Sequence, residues 1–145
     1  MNVGTREEDI PLFNLTRKTD TMDKNASVPK VTVVVATYRR EATLESAMAS
    51  LLTQTHRNLE IIIVDDNADA EWNERVRIIV EKYVQTARAG YTIRLIQNEN
   101  NLGSAISRNK AIFAASGDYI TFLDDDDIYL PEKVKAQLQN LIENI

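Results

Sequence analysis

The chain has 145 residues, 43% of them hydrophobic, which is enough for one ordinary domain with a core of its own. Asp and Glu number 22 against 17 Lys and Arg, so the net charge is −5 and no basic nucleic-acid surface is implied. There is no cysteine, which excludes disulfides, thiolate metal sites and a cysteine nucleophile and fits a reducing, cytoplasmic setting.

Residues 1–29 are polar, with apolar positions that keep no sustained period. They read as a flexible leader, in which Ile10 to Leu15 is the one segment able to dock. No signal-peptide core is visible, and no apolar run approaches the ~18 residues of a membrane span.

From Val31 strands and helices alternate. "VTVVVAT" is a β-branched run suited to a strand buried on both faces. Leu44, Met48, Leu51 and Leu52 follow at helical spacing, with Thr43 as the expected N-cap. "LEIIIVDD" is a second buried strand. Trp72, Val76, Ile79, Val80 and Tyr83 mark a second helix, which Gly90 is expected to close. "YTIRLIQ" alternates and so belongs near a sheet edge. Leu102, Ile106, Asn109 and Phe113 give a third helix an apolar face, and Gly103 permits its tight entry. "YITFLDD" is a fourth strand. Pro131 suits the first turn of a last helix, whose apolar face is Val134, Leu138, Leu141, Ile142 and Ile145.

This alternation predicts an α/β fold: a mostly parallel, Rossmann-like sheet of about four strands flanked by helices, over residues 30–145. Ligands of such sheets bind beyond the carboxyl ends of the strands. Three polar clusters fall at those ends: Thr37 with Tyr38, Asp65 with Asp66, and the unbroken run Asp124 to Asp127.

Four adjacent carboxylates repel one another, by ~1 kcal/mol per pair at 4 Å in water and ~4 kcal/mol at an effective dielectric near 20. A divalent cation would offset that repulsion, and carboxylate oxygens are the ligands that Mg²⁺ and Mn²⁺ prefer. The plain alternative is that Asp126 or Asp127 caps the helix near Pro131. Asp65 and Asp66 offer either a turn or an acceptor for an N–H of a bound base. Tyr38 is either a half-buried strand-end aromatic or a ring against that base. Arg108 faces phosphate, the acidic run or solvent. His56, the sole histidine, reads as a surface residue between the first helix and the second strand.

"VTVVVATYRREATLESAMASLLTQTHRNLEIIIVDD", "NLGSAISRN" and "GDYITFLDDDDIYLPEKV" resemble the nucleotide-binding half of family 2 glycosyltransferases of the GT-A fold, over roughly residues 29–142. The resemblance implies that Ala36, Thr37 and Tyr38 line a base and that Asp66 contacts uracil. Asp65 and Arg108 join the donor site. An Asp-x-Asp motif falls on Asp124, Asp125 and Asp126, with Asp126 and Asp124 on a Mn²⁺ or Mg²⁺ ion and Asp124 or Asp125 near the ribose. Ser107 replaces the alanine common before the Arg-Asn pair. The implied partner is a nucleotide sugar, with UDP expected, and the implied reaction is inverting transfer to a saccharide or other hydroxyl acceptor. The family's second half, which carries the acceptor pocket and the general base, has no counterpart before Ile145. Self-association through an uncovered edge is therefore also expected.

Other classes fit the residues less well. A non-catalytic nucleotide-sugar binding module would need the same donor residues. A haloacid dehalogenase-like phosphatase would use Asp124-x-Asp126, but at the end of the first strand. A dinucleotide-binding oxidoreductase would need a G-x-G-x-x-G after the first strand.

Overall fold

The computed structural model describes residues 28–145; the expected leader lies almost wholly outside them. Four strands, β1 (Val31–Thr37), β2 (Leu59–Asp65), β3 (Tyr91–Gln97) and β4 (Tyr119–Phe122), alternate with four helices, α1 (Ala42–Leu52), α2 (Ala70–Thr86), α3 (Ser104–Ala114) and α4 (Lys133–Glu143). All pairings are parallel, and the sheet order is β3-β2-β1-β4. The expected α/β class and four-stranded sheet are both present.

That order follows from the handedness of crossovers. From β1 to β3 the chain steps one way across the sheet; from β3 to β4 it jumps back to the far side of β1. Right-handed connections in opposite directions put their helices on opposite faces. Accordingly Val33, Val35, Ile61 and Ile63 pack with α1, α2 and α4 on one face, whereas Val34, Ile62 and Val64 meet α3 on the other. β1 and β2 are thus covered on both faces, which explains why they read as unbroken apolar runs. Each fully buried Val or Ile here contributes about 1.5–3 kcal/mol relative to exposure. β3 lies at an edge, in keeping with its alternation.

Several local expectations are revised. The N-cap of α1 is Glu41, not Thr43, and no side chain caps it. Gly90 stands beyond the end of α2, whose C-cap is Ala87. At φ 90° it turns the chain into β3, and its carbonyl accepts Leu59 N–H at 3.1 Å. α3 packs through Ser107 and Ala111 rather than through its large residues; Ile106 and Phe113 point outward. Small side chains let this helix lie close to the sheet, so residue size misleads as to its buried face. Pro131 precedes α4 by two residues. Only Val134 and Leu138 of its apolar stripe are buried, leaving Leu141, Ile142 and Ile145 exposed.

His56 is not at the surface. It is 6% exposed, and its Nε2 lies 2.8 Å from Pro29 O, fixing the entry to β1. None of the described helices is long and apolar enough to cross a membrane.

Candidate functional site

The strand order reverses between β1 and β4, so the loops leaving their carboxyl ends part and open a cleft of about 250 Å³. Ala36, Thr37, Tyr38, Arg40, Asp66, Ser104, Arg108, Asp124, Asp125 and Asp126 line it. Sequence positions nearly ninety residues apart meet there because β1 and β4 are paired neighbours, Val34 standing opposite Phe122.

The floor is organised by Asp66. Its Oδ1 accepts Leu102 N–H at 2.7 Å and Asn98 Nδ2 at 2.9 Å; its Oδ2 accepts Gly103 N–H at 2.9 Å and Asn101 Nδ2 at 3.0 Å. Burial alone would raise the Asp66 pKa. The donors Leu102 N–H, Asn98, Gly103 N–H and Ser107 outweigh it and hold the carboxyl below its ordinary value. Ser107, fully buried, accepts Asn98 Nδ2 at 3.0 Å and so gains a function that alanine at this position would lack. A uracil N3–H would meet a carboxylate that already accepts four hydrogen bonds.

Asp65 behaves differently from expectation. It is fully buried, away from the cleft lining. Oδ1 accepts Asn67 N–H at 3.0 Å and Asn67 Nδ2 at 2.6 Å, while Oδ2 accepts Gln97 Nε2 at 3.1 Å. Its position at the end of an inner strand makes it a turn-former that shapes the loop after β2. Of the two readings given for Asp65, its contacts fit the turn.

The loop after β1 forms the opposite wall. Tyr38 is 45% exposed and lines the cleft, with the Arg39 guanidinium over its ring, 5.4 Å from the centroid. Arg39 has φ 49°, a left-handed conformation uncommon outside glycine, and its N–H donates to Asn67 Oδ1 at 2.7 Å. That bond ties the loop after β1 to the loop after β2.

The acidic run forms the rim. Asp127 N–H donates to Asp124 O at 3.0 Å, so the run is a tight turn. None of its carboxylates caps α4, whose N-cap is Glu132. Asp125 points inward, with its side chain 13% exposed, and accepts Tyr38 N–H at 3.4 Å. Burial pushes its pKa up, and the Thr37 hydroxyl, Tyr38 N–H and Arg40 only partly counter this. The Thr37 hydroxyl faces that carboxyl without closing a hydrogen bond of ordinary geometry, and it is buried without a partner. An orphaned hydroxyl at the mouth of a cleft suits a ligand that would satisfy it.

Arg108 pairs with Asp124 at 2.8 Å, so its guanidinium lies at the cleft beside the acidic run. Arg40, which has no role in the reading of the sequence, reaches both Asp125 and Asp126 at 3.4 Å. The signal that would have found it is its place three residues beyond a strand end that faces an acidic loop.

Among the described residues, Asp124, Asp126 and Asp127 are exposed and can each bring one carboxylate oxygen within 4.8 Å of the others. Three hard oxygen donors in that span fit Mg²⁺ or Mn²⁺. Asp127 thereby joins Asp124 and Asp126 as a candidate ligand.

Residues 32–144 match the family model described as glycosyl transferase family 2. The chain belongs to that family. It is 40% identical over 124 residues to the uncharacterized glycosyltransferase MJ1057 of Methanocaldococcus jannaschii, covering 85% of this chain and 39% of that protein. It is 32% identical over 114 residues to the Escherichia coli UDP-Glc:alpha-D-GlcNAc-diphosphoundecaprenol beta-1,3-glucosyltransferase WfgD, covering 79% of this chain and 42% of WfgD. The structure of S. aureus TarS 1-349 in complex with UDP-GlcNAc is similar with a TM-score of 0.67 and 30% identity, over 79% of this chain and 31% of TarS 1-349. The chain thus spans about two fifths of the length of these curated relatives. The four-stranded unit is the Rossmann-like portion of a GT-A fold.

Proposed function

We propose that this family 2 chain binds the nucleotide-sugar donor of a glycosyl transfer, with UDP as the nucleotide. The observation that carries the reading is the cleft itself: ring, buried carboxylates, arginines and a three-carboxylate group converge where β1 and β4 part. Support comes from the UDP-GlcNAc complex of TarS and from WfgD, whose name specifies UDP-Glc.

In this reading the uracil lies against Tyr38 and Ala36, over the floor that Asp66 holds. Asp66 offers the base an oxygen shared with its loop donors. The Thr37 hydroxyl and Asp125 serve the ribose. Arg108 serves the diphosphate from the first turns of α3. Asp126 and Asp124 would hold a Mn²⁺ or Mg²⁺ ion, with Asp127 beside them. Such an ion, when bound, supplies positive charge to the departing diphosphate. In a longer protein like its relatives, the sugar would pass with inversion to a saccharide or other hydroxyl acceptor, on the cytoplasmic side of the cell.

A second reading concerns the chain by itself. Every carboxylate of the cleft lining is engaged: Asp66 by its loop, Asp124 by Arg108, Asp125 and Asp126 by Arg40. An inverting transfer needs a free base within hydrogen-bond reach of the acceptor hydroxyl. This chain alone is therefore expected to bind donor without glycosylating an acceptor.

The test is calorimetric. UDP is titrated into the chain with Mn²⁺ present and with chelator present. Tighter binding with Mn²⁺ supports the reading, and equal affinity in both would remove the metal from it. Incubation with UDP-sugars, Mn²⁺ and sugar acceptors, read by mass spectrometry, decides the second reading: glycoside formed over many turnovers overturns it.

A further inference from the structure

The Arg40 guanidinium bridges two neighbouring carboxylates of the acidic run, Nε to Asp125 Oδ1 and Nη1 to Asp126 Oδ2, each at 3.4 Å. Its backbone setting is fixed rather than free. Arg39 beside it is held in a left-handed conformation by its bond to Asn67, and Tyr38 N–H reaches Asp125 from the same loop. The loop after β1 thus delivers a cation to a carboxylate assigned above to the metal.

We propose that Arg40 is a displaceable counter-ion of this site, and that it makes binding of a divalent cation depend on binding of a diphosphate. The inference rests on the reading of Asp124 and Asp126 as cation ligands. With four aspartates and the two arginines, the rim carries a net −2. A divalent cation entering alone must break the Arg40–Asp126 pair and then lie within a few ångströms of a guanidinium that Asp125 still holds. Like charges at that range oppose its binding. A nucleoside diphosphate arriving with the cation changes the balance, since its phosphate oxygens give Arg40 a new anion to pair with. Cation and diphosphate therefore bind cooperatively. By linkage, each tightens the other by the same factor.

The experiment measures Mn²⁺ affinity from the electron paramagnetic resonance signal of free Mn²⁺, with and without UDP, in the parent chain, Arg40→Gln and Arg39→Gln. Arg40→Gln is expected to bind Mn²⁺ alone about five- to tenfold more tightly, and the tightening by UDP should shrink by a similar factor. Arg39→Gln removes the same charge one residue away, from a side chain that faces Tyr38, and should change Mn²⁺ affinity less than about twofold. Mn²⁺ affinity in Arg40→Gln equal to or below the parent's overturns the proposal. So does an equal gain in Arg39→Gln, since general charge would then account for it. A parent chain that takes up no Mn²⁺ even with UDP overturns the metal reading instead, and the proposal with it. On the unaltered chain, the Arg40 Nε–H resonance should shift when Mg²⁺ and UDP are added together; a resonance that stays in place counts against displacement.

Discussion

Asp66 Oδ2 accepts Gly103 N–H at 2.9 Å, and through that bond the end of β2 holds the start of α3. Gly103 is the N-cap of this helix and has no side chain with which to cap it. Asp66 does not replace that cap; from another element it takes the N–H of the N-cap residue itself and the N–H of Leu102 before it. An amide at position 66 has one acceptor oxygen and would turn an N–H₂ toward donors. Asp66→Asn is expected to cost about 2–3 kcal/mol of stability, the range for losing charge-assisted bonds to buried donors. Urea unfolding measures it. Uridine affinity should fall in the same variant. Unchanged stability with weakened uridine would mean that Asp66 serves the base alone.

Asp126→Asn separates the metal from the nucleoside. Asp126 is about half exposed and its recorded partner is Arg40, so the fold loses little. UDP binding should lose its dependence on Mn²⁺, while weak uridine binding persists. A titration in which Mn²⁺ still tightens UDP would move the cation to other ligands.

Acid stability follows from two buried carboxylates. Burial would raise the pKa of Glu60, but Ser116 N–H, the Thr32 and Ser116 hydroxyls and Arg94 outweigh it and lower the value. Asp66 is lowered likewise. A carboxyl whose folded pKa is depressed adds stability above its unfolded pKa and loses it as pH falls through the folded one. The chain should therefore hold its stability from neutral pH to about pH 5 and lose it below about pH 4.5. Asp125 has the opposite sign, because burial raises it. Its protonation on acidification relieves a cost and offsets part of the loss. Glu60→Gln should flatten the acid limb of a thermal-melting series against pH. An unchanged limb would assign acid lability to other groups.

How far the sequence revealed this site depends on the kind of residue. The parallel four-stranded sheet was legible, and so was the edge where its polar strand ends gather, because β-branched runs alternating with helical stripes permit few topologies; the strand order itself was not. Asp124 to Asp126 and Tyr38 were legible because each falls within four residues of a strand end. What escaped was pairwise. Asp65 and Asp66 are adjacent and alike, yet one forms a buried turn and the other holds the loop before α3. Only the direction of each side chain separates them, and strand alternation past the last ladder residue does not predict it. Arg40 was hidden because an arginine near a helix start reads as a solvated charge until its partners, more than eighty residues away, are in place. His56 and Gln54 were hidden because burial of a polar side chain depends on backbone partners that a pattern of residue types does not display.

Gln54 gives the last test, since it links the acidic rim to the core. Fully buried at the end of α1, it donates through Nε2 to Leu130 O at 2.8 Å and to Ser50 O at 3.2 Å. Its Oε1 accepts Val134 N–H at 3.1 Å. Thr55 N–H adds a bond to Pro131 O at 2.9 Å, and Tyr129 N–H bonds Ser50 Oγ at 3.1 Å. The segment from the acidic run to α4 thus hangs on the end of α1. Gln54→Ala strands the buried Val134 N–H and takes one of two donors from Leu130 O, which keeps Lys133 N–H; the cost is about 1–3 kcal/mol. A domain of ordinary stability, about 5–15 kcal/mol, stays folded through that loss. The damage should be local before it is global. Hydrogen exchange should quicken at Tyr129 and Val134 far more than in β1 and β2, and Mn²⁺ affinity in the presence of UDP should fall severalfold although no ligand has been altered. Exchange that quickens evenly across the chain would show that Gln54 supports the fold as a whole and has no particular hold on the acidic rim.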